Sequence, residues 1–580
     1  MPAHDSEPAA KRPGAARRGA VLLLLAIALA LILAQAVSQG RPAALPEAAG
    51  APRTQMLPCV SYAPFRRAGE TPFDAGLHIA PQAIEADLRL LRAVTGCVRT
   101  YGLDHGLDAV PAVARRLGLR VVLGAWIGRD AAANEAQLRR ALDLAHEYRD
   151  VVQLLVVGNE VLLRRELAPE ALAALLARAR RESPVPVTYA DVWEFWLRHG
   201  PALREHVDIV AAHILPYWED EPVGVDQAVD HVYTVAAQLR QNFGSTPVFI
   251  AETGWPAAGR QRGPAVPGRD EQARFVRGML ARQAAEPLDF NLIEAFDQPW
   301  KRALEGAMGG TWGLFDADGI QRVPLAGPLP ADPRGFWLPL VAVIGAAAGL
   351  MAGAWRRRNA ADAAPVRTDL LAQTTLAAAG ALVAACALLQ MQALPLWSRT
   401  PWEWTAGGAA LLLSVICGAV AAGRLGQVLQ DGVDGVRKGV IAAFALRETA
   451  ALRLLAVAQV GLLFLAAVDA LGLVFDARYR PLPWPVIAAP ALLLAALAWL
   501  GDRLPAAARE EKLLAVVCAV CAVPVAILEG PANTQALLYA AMLLMLAAAC
   551  GWTHRAAPGA VAGNSASAAS SAAGAAQRVE

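Results

Sequence analysis

The chain has 580 residues, 56% of them hydrophobic, and a mean hydropathy of +0.36. That is too apolar for a wholly soluble protein, and the excess lies at the ends, so the chain divides into a soluble part and a membrane part. A net charge of +2 gives no reason to expect nucleic acid.

Residues 1–18 form a basic terminus with Lys11, Arg12, Arg17 and Arg18, followed by an uncharged apolar run, 19–37. The run is long enough to span a bilayer, and its basic flank favours a cytoplasmic N-terminus. A cleaved signal peptide is the competing reading, with Ala-Gln-Ala or Ala-Val-Ser as its cleavage site. The run exceeds a usual signal core, so an uncleaved anchor is preferred. Either way the next domain is exported. Residues 38–55, rich in Ala and Pro, read as a linker.

From 56 to 334 strand and helix patterns alternate. Strands are predicted at 57–63, 96–101, 120–126, 151–160, 186–190, 208–215, 247–256 and 291–296. Helices are predicted at 81–94, 110–117, 135–148, 169–182, 195–206, 225–242 and 271–285. This rhythm is that of an α/β (β/α)8 TIM barrel. A doubly wound sheet is the alternative, but no glycine fingerprint opens the first unit. Two apolar strands end on an acid: VVQLLVVGNE on Glu160 and PVFIAETGWP on Glu252. In a TIM barrel the strand ends build the active site, so the two form a candidate carboxylate pair.

The other strand ends are also polar or aromatic. They carry Tyr62, Arg99, Tyr101, Trp126, Asn159, Tyr189, Asp191, His213, Tyr217, Trp218, Trp255, Asp297, Trp300 and Lys301. A barrel needs such residues only at its open top. Rings beside carboxylates suit a sugar, whose C–H faces stack and whose hydroxyls hydrogen-bond. No Ser-His-Asp order, zinc-spaced His pair or P-loop stands out, so no metal or cofactor is expected. Cys59 and Cys97 lie on neighbouring strands of an exported domain; a disulfide is open to them, and two unpaired core thiols are the preferred reading. The other five cysteines lie in apolar runs and read as small hydrophobes; Cys518 and Cys521 form a C-x-x-C with no second pair.

The motifs VSYAPF, VRTYG, VVGNEV, AHILPYW, IAETGWP and EAFDQPWK, the last followed by TWGLFD, resemble glycoside hydrolase family 17, the β-1,3-glucanase family. The resemblance covers about half the chain. It implies a retaining enzyme with Glu160 as acid/base and Glu252 as nucleophile. Repulsion between two such acids lets one hold a proton while the other is ionised. On the same reading Asn159 bonds the sugar 2-hydroxyl, Tyr217 holds the nucleophile, and Arg99 either orients Glu252 or sits in a structural ion pair. Tyr101, His213 and Lys301 join the substrate-binding set. Tyr62, Trp255 and Trp300 are subsite residues or barrel packing. One departure stands out: 317–334 shows no clear eighth helix, so a short irregular segment is expected to close the barrel.

Residues 335–553 read as a membrane domain with about seven transmembrane helices, at 336–355, 370–389, 405–422, 454–475, 484–500, 513–528 and 534–552. Arginine and lysine concentrate in alternate loops, which fits cytoplasmic termini and an external barrel. Trp337, Trp397, Trp402, Trp404, Trp484 and Trp552 sit at segment ends as interfacial anchors do. Asp469 and Glu529 lie in or beside apolar runs; they mark a polar path or, the preferred reading, face headgroups. The tail, 554–580, reads as disordered.

Two classes of function follow. The barrel hydrolyses or transfers β-glucan, or it binds glucan without turnover for a membrane transporter or scaffold. With both glutamates present, the enzyme is favoured. Resemblance to membrane-bound bacterial members, often labelled β-1,6-glucan synthases, implies remodelling, with a membrane glucan synthase as a partner; no nucleotide-sugar transferase domain is visible. High Ala and Arg suggest a GC-rich bacterium, hence a multi-pass inner-membrane protein with a periplasmic barrel.

Overall fold

The computed structural model describes residues 14–40, 45, 56–329, 332, 334–359, 369–438, 445–502 and 509–551. The first thirteen residues of the basic terminus, most of the 38–55 linker and the 554–580 tail lie outside them.

Eight parallel strands close in chain order into a barrel: β1 (Cys59–Ser61), β2 (Cys97–Arg99), β3 (Arg120–Ala125), β4 (Val152–Asn159), β5 (Val187–Val192), β6 (Val210–His213), β7 (Val248–Thr253) and β8 (Phe290–Leu292). An apolar helix, α1 (Ala15–Gly40), precedes it. Between the strands run α2 (Pro81–Leu91), α3 (Val110–Leu117), α4 (Ala131–Glu147), α5 (Pro169–Glu182), α6 (Trp193–Leu203), α7 (Val225–Phe243) and α8 (Arg269–Ala285). Local chemistry explains their starts. Proline, whose missing N–H costs nothing in a first turn, opens α2 and α5. The Asp130 carboxylate accepts from Ala133 N at 2.9 Å and caps α4.

After β8 the chain makes one turn of helix, α9 (Arg302–Glu305), and then runs irregularly to Leu329, as expected. Phe315 bridges back to Phe296, and Phe315, Val323 and Leu329 join the barrel core.

Strand alternation divides the core. Outward residues such as Leu155, Val157 and Ile250 pack against the helices, whereas Cys59, Cys97, Val122, Leu154, Val156, Ala211, Phe249 and Ala251 fill the barrel interior. Val60 pairs with Val98, so Cys59 and Cys97 face each other one residue earlier. Their Cα atoms are 4.4 Å apart and they form a disulfide, which corrects the preferred reading of two free thiols. Spacing along the sequence did not reveal that register. The bond closes a loop of sequence separation 38, and Cys97→Ser should cost about 4 kcal/mol in unfolding free energy by loop entropy. Denaturant unfolding of the parent and the variant, followed by far-UV circular dichroism, measures it.

Beyond the barrel lie α10 (Arg334–Asn359), α11 (Leu370–Trp397), α12 (Pro401–Lys438), α13 (Ala445–Phe475), α14 (Trp484–Trp499), α15 (Arg509–Glu529) and α16 (Thr534–Gly551). They occupy the seven predicted segments. Among the described residues six helices, α1 included, are long and apolar enough to cross a membrane; the apolar stretches of α14 and α16 are shorter. Val21 and Leu25 of α1 share a core with α11 to α16.

Candidate active site

Strict alternation would aim Asn159 and Glu252 away from the barrel interior, because Val156 and Ala251 point into it. Irregular register turns them. Pairing shifts between Val156 and Asn159 on β4, and between Ile250 and Thr253 on β7. Such bulges re-aim side chains near functional sites. On β4 the turn needs Gly158, at φ 86°, where a Cβ would meet Val161 Cγ2 at 2.7 Å. Glu160 itself has φ 55°, an uncommon conformation for a residue with a side chain.

The two glutamates meet around His213 at the end of β6. His213 Nδ1 lies 2.9 Å from Glu160 Oε1, and its Nε2 lies 3.6 Å from Glu252 Oε1. One oxygen of each carboxylate and one imidazole nitrogen all fall within 4.8 Å of one another. His213 is fully buried, and Glu160 keeps 26% of its side chain open to solvent.

Arg99, on β2, lies beneath them with its side chain 1% exposed. Its guanidinium donates to Glu252 Oε1 at 3.0 Å, Ala251 O at 2.7 Å and Asn159 Oδ1 at 2.6 Å. It thus orients the Glu252 carboxylate through a buried ion pair. The Tyr101 ring packs on that guanidinium at 4.6 Å, and its hydroxyl lies 2.8 Å from Ser61 Oγ. Burial raises the pKa of Glu252, but His213, Arg99 and a hydrogen bond from Tyr101 outweigh it and hold the carboxyl below its usual range. Three acidic or imidazole donors so arranged resemble a metal site, but a cation there would face the Arg99 charge.

Other predicted residues have different tasks. Tyr62 is buried and donates to Asp87 at 3.1 Å, so it packs the barrel wall. Tyr217 does not bond Glu252: its buried hydroxyl donates to Arg260 O at 2.6 Å, and the tyrosine that hydrogen-bonds Glu252 is Tyr101. Trp255 is buried between Tyr217 and Phe275, its indole N–H donating to Val266 O at 3.0 Å. Lys301 is held by Glu294 at 2.8 Å. Trp300 remains half-exposed at the rim, edge-on to the exposed Phe73 at 5.6 Å.

The residue pattern missed two acids and gave a third no role. Burial pushes Glu294 up to about 7, with Lys301 opposing. Burial also raises Glu305, a carboxyl in the field of Glu160 and Glu252. Asp191, noted only as a strand-end residue, is pushed up to about 6 by burial, against the hydrogen bond from Tyr189 and with a contribution from the Glu160 charge. Glu294 and Glu305 flank the predicted Lys301, which was the available signal.

Residues 59–313 match the family model described as the BtgE/BtgC glycoside hydrolase domain. The barrel matches a glycoside hydrolase domain. Over 225 residues the chain is 29% identical to a probable beta-glucosidase btgE of Aspergillus fumigatus, covering 38% of this chain and 39% of that protein. Over 232 residues it is 26% identical to a glucan 1,3-beta-glucosidase of Schizosaccharomyces pombe, covering 37% of this chain and 72% of that one. A solved glycoside hydrolase family 17 beta-1,3-glucanosyltransferase from Rhizomucor miehei aligns at 24% identity with a TM-score of 0.42, over 47% of this chain and 99% of that one. The chain thus spans about two fifths of the btgE relative. The matched stretch is the barrel, without the helices that follow.

Proposed function

We propose that the barrel cleaves or transfers β-1,3-glucan with retention of configuration, using Glu252 as nucleophile and Glu160 as acid/base. The observation that carries this is the carboxylate pair bridged by His213, with Glu252 held ionised by Arg99 and Tyr101. Oxygens within 4.8 Å suit the close spacing of a double displacement, in which the carboxyls stand about 5–5.5 Å apart. Glu252 attacks the anomeric carbon, the glycosidic C–O bond breaks, and Glu160 gives its proton to the leaving oxygen. In the second step an acceptor hydroxyl loses its proton to Glu160 and attacks the same carbon, which releases Glu252. Asn159, fixed by Arg99, offers its amide N–H to the 2-hydroxyl, and Trp300 a stacking face. The glucan is proposed from the name of the Schizosaccharomyces relative.

Water and a sugar hydroxyl compete for the intermediate, and a membrane-tied barrel favours remodelling, including transfer to a 6-hydroxyl. The six long apolar helices among the described residues and an internal disulfide support an inner-membrane protein with a periplasmic barrel and cytoplasmic termini, working beside a glucan synthase.

The test incubates the full chain in detergent with laminari-oligosaccharides and reads products by mass and linkage. Products longer than the substrate mean transfer, and new 1,6 linkages mean branching. Only shorter products mean hydrolysis, and no turnover would sink the reading.

A further inference from the structure

The two turns of the helical domain nearest the barrel form a seat for its catalytic loops. The loop after β7 inserts Arg260 and Gln261, each 3% exposed, between them. Arg260 donates to Ala477 O at 2.6 Å and Arg480 O at 3.0 Å, both in the turn between α13 and α14, and pairs with Glu529 at the end of α15. Asn533, fully buried in the next turn, donates to Glu529 Oε2 at 2.8 Å and to Gln261 O at 3.0 Å. The Gln261 side chain donates to Ala532 O at 2.8 Å and accepts from Thr534 Oγ1 at 2.9 Å, while its backbone N–H donates to Gln535 Oε1 at 2.9 Å. Every side-chain nitrogen and oxygen of this dipeptide therefore has a partner, as burial demands.

The other loops at the barrel top rest on the same turns. Arg478 donates to Trp218 O at 3.0 Å and Asp220 at 2.7 Å in the loop after β6. Ala307 N, beyond β8, donates to Tyr479 O at 3.3 Å. From the seat a line of rings, Tyr479, Trp218, Trp312, Tyr217 and Trp255, leads inward with successive centroids 5.6–6.3 Å apart. Trp255 stands three residues after Glu252, and Tyr217, four after His213, hydrogen-bonds the buried Arg260 backbone.

We infer that the helical domain is a positioning part of the catalytic centre: Glu529 and the 530–535 turn, through Arg260 and Gln261, fix the loops that aim His213 and Glu252. This rests on the glucan-cleaving reading for its kinetic consequence alone. It replaces the reading of Glu529 as a headgroup-facing edge. A mere anchor would hold the domains together without altering the loops, so the test must read the loops and the rate separately.

The experiment uses the full chain in nanodiscs. Glu529→Gln removes the counter-charge of Arg260; Gln261→Ala leaves every charge in place and guards against simple misfolding. Hydrogen exchange follows segments 213–222 and 253–268, and turnover is measured on laminarihexaose. We expect both variants to lose protection in those two segments while β1 to β3 keep theirs, and kcat to fall at least ten-fold with a smaller change in KM. A short bismaleimide joining Asp220→Cys to Arg478→Cys, placed in the Glu529→Gln background, should restore both in part. Unchanged protection overturns the inference, and so does lost protection with unchanged kcat. A parent without turnover sinks the glucan reading, and the exchange pattern alone then decides whether the seat orders the loops.

Discussion

Glu252→Gln is expected to lower kcat on a laminari-oligosaccharide by about 10^4-fold, or about 5 kcal/mol of barrier. Glutamine keeps the shape and can still accept from Arg99 through its carbonyl, so folding and KM should stay near those of the parent. What it lacks is a charge able to form a bond to the anomeric carbon. Replacing Glu252 by glycine and supplying azide should return part of the rate as a glycosyl azide of inverted configuration. That product separates loss of the nucleophile from damage to the site. A glutamine variant with more than a tenth of the parent rate would remove Glu252 from the mechanism.

Arg99→Met should cost both stability and rate. The guanidinium is almost fully buried and serves three acceptors on two strands. Its removal takes the guanidinium partner from the Glu252 carboxylate and the side-chain hydrogen bond from the Asn159 carbonyl, and breaking a buried pair this way costs about 3–5 kcal/mol. Turnover should fall about 10^2- to 10^3-fold, because both residues lose their orientation. Arg99→Lys should rescue little, since an ammonium cannot span three acceptors as a planar fork does. The pH dependence has a definite sign. Glu252 is depressed in the folded protein, so its ionic contribution to stability is present above the ordinary carboxylate range and is lost as pH falls through the lowered value. Without Arg99 that loss begins at higher pH, and the acid limb of kcat/KM moves up with it. Urea unfolding at pH 4 and pH 7, together with the rate profile, tests both.

Chain order and periodicity were enough to read the barrel, because each buried strand is a short apolar run and each helix shows its own face. VVGNE and IAETG were legible as acids at strand ends for the same reason. What turned those acids into a site was not. The register shifts on β4 and β7 depend on pairing with neighbouring strands, which no single segment encodes. Tyr101 and Tyr217 both follow a strand, and only their partners in the fold separate them: Tyr101 hydrogen-bonds Glu252, and Tyr217 the Arg260 backbone. Glu305 lies in a segment without periodicity, and Gln261 in a loop whose partners are about 270 residues away.

The barrel is also spliced between two helices that pack together. α1 ends at Gly40 and α10 begins at Arg334, and both pack in the same bundle. A domain held by short segments at both ends meets its docking surface at an effective concentration in the millimolar range. An encounter with a Kd near 1 mM, about −4 kcal/mol as a free pair, would then keep the barrel seated about half the time. Each further increment of about 1.4 kcal/mol of contact raises the seated-to-free ratio ten-fold, so the buried Arg260–Glu529 pair and the hydrogen bonds around Gln261 need add little to hold the barrel on its seat.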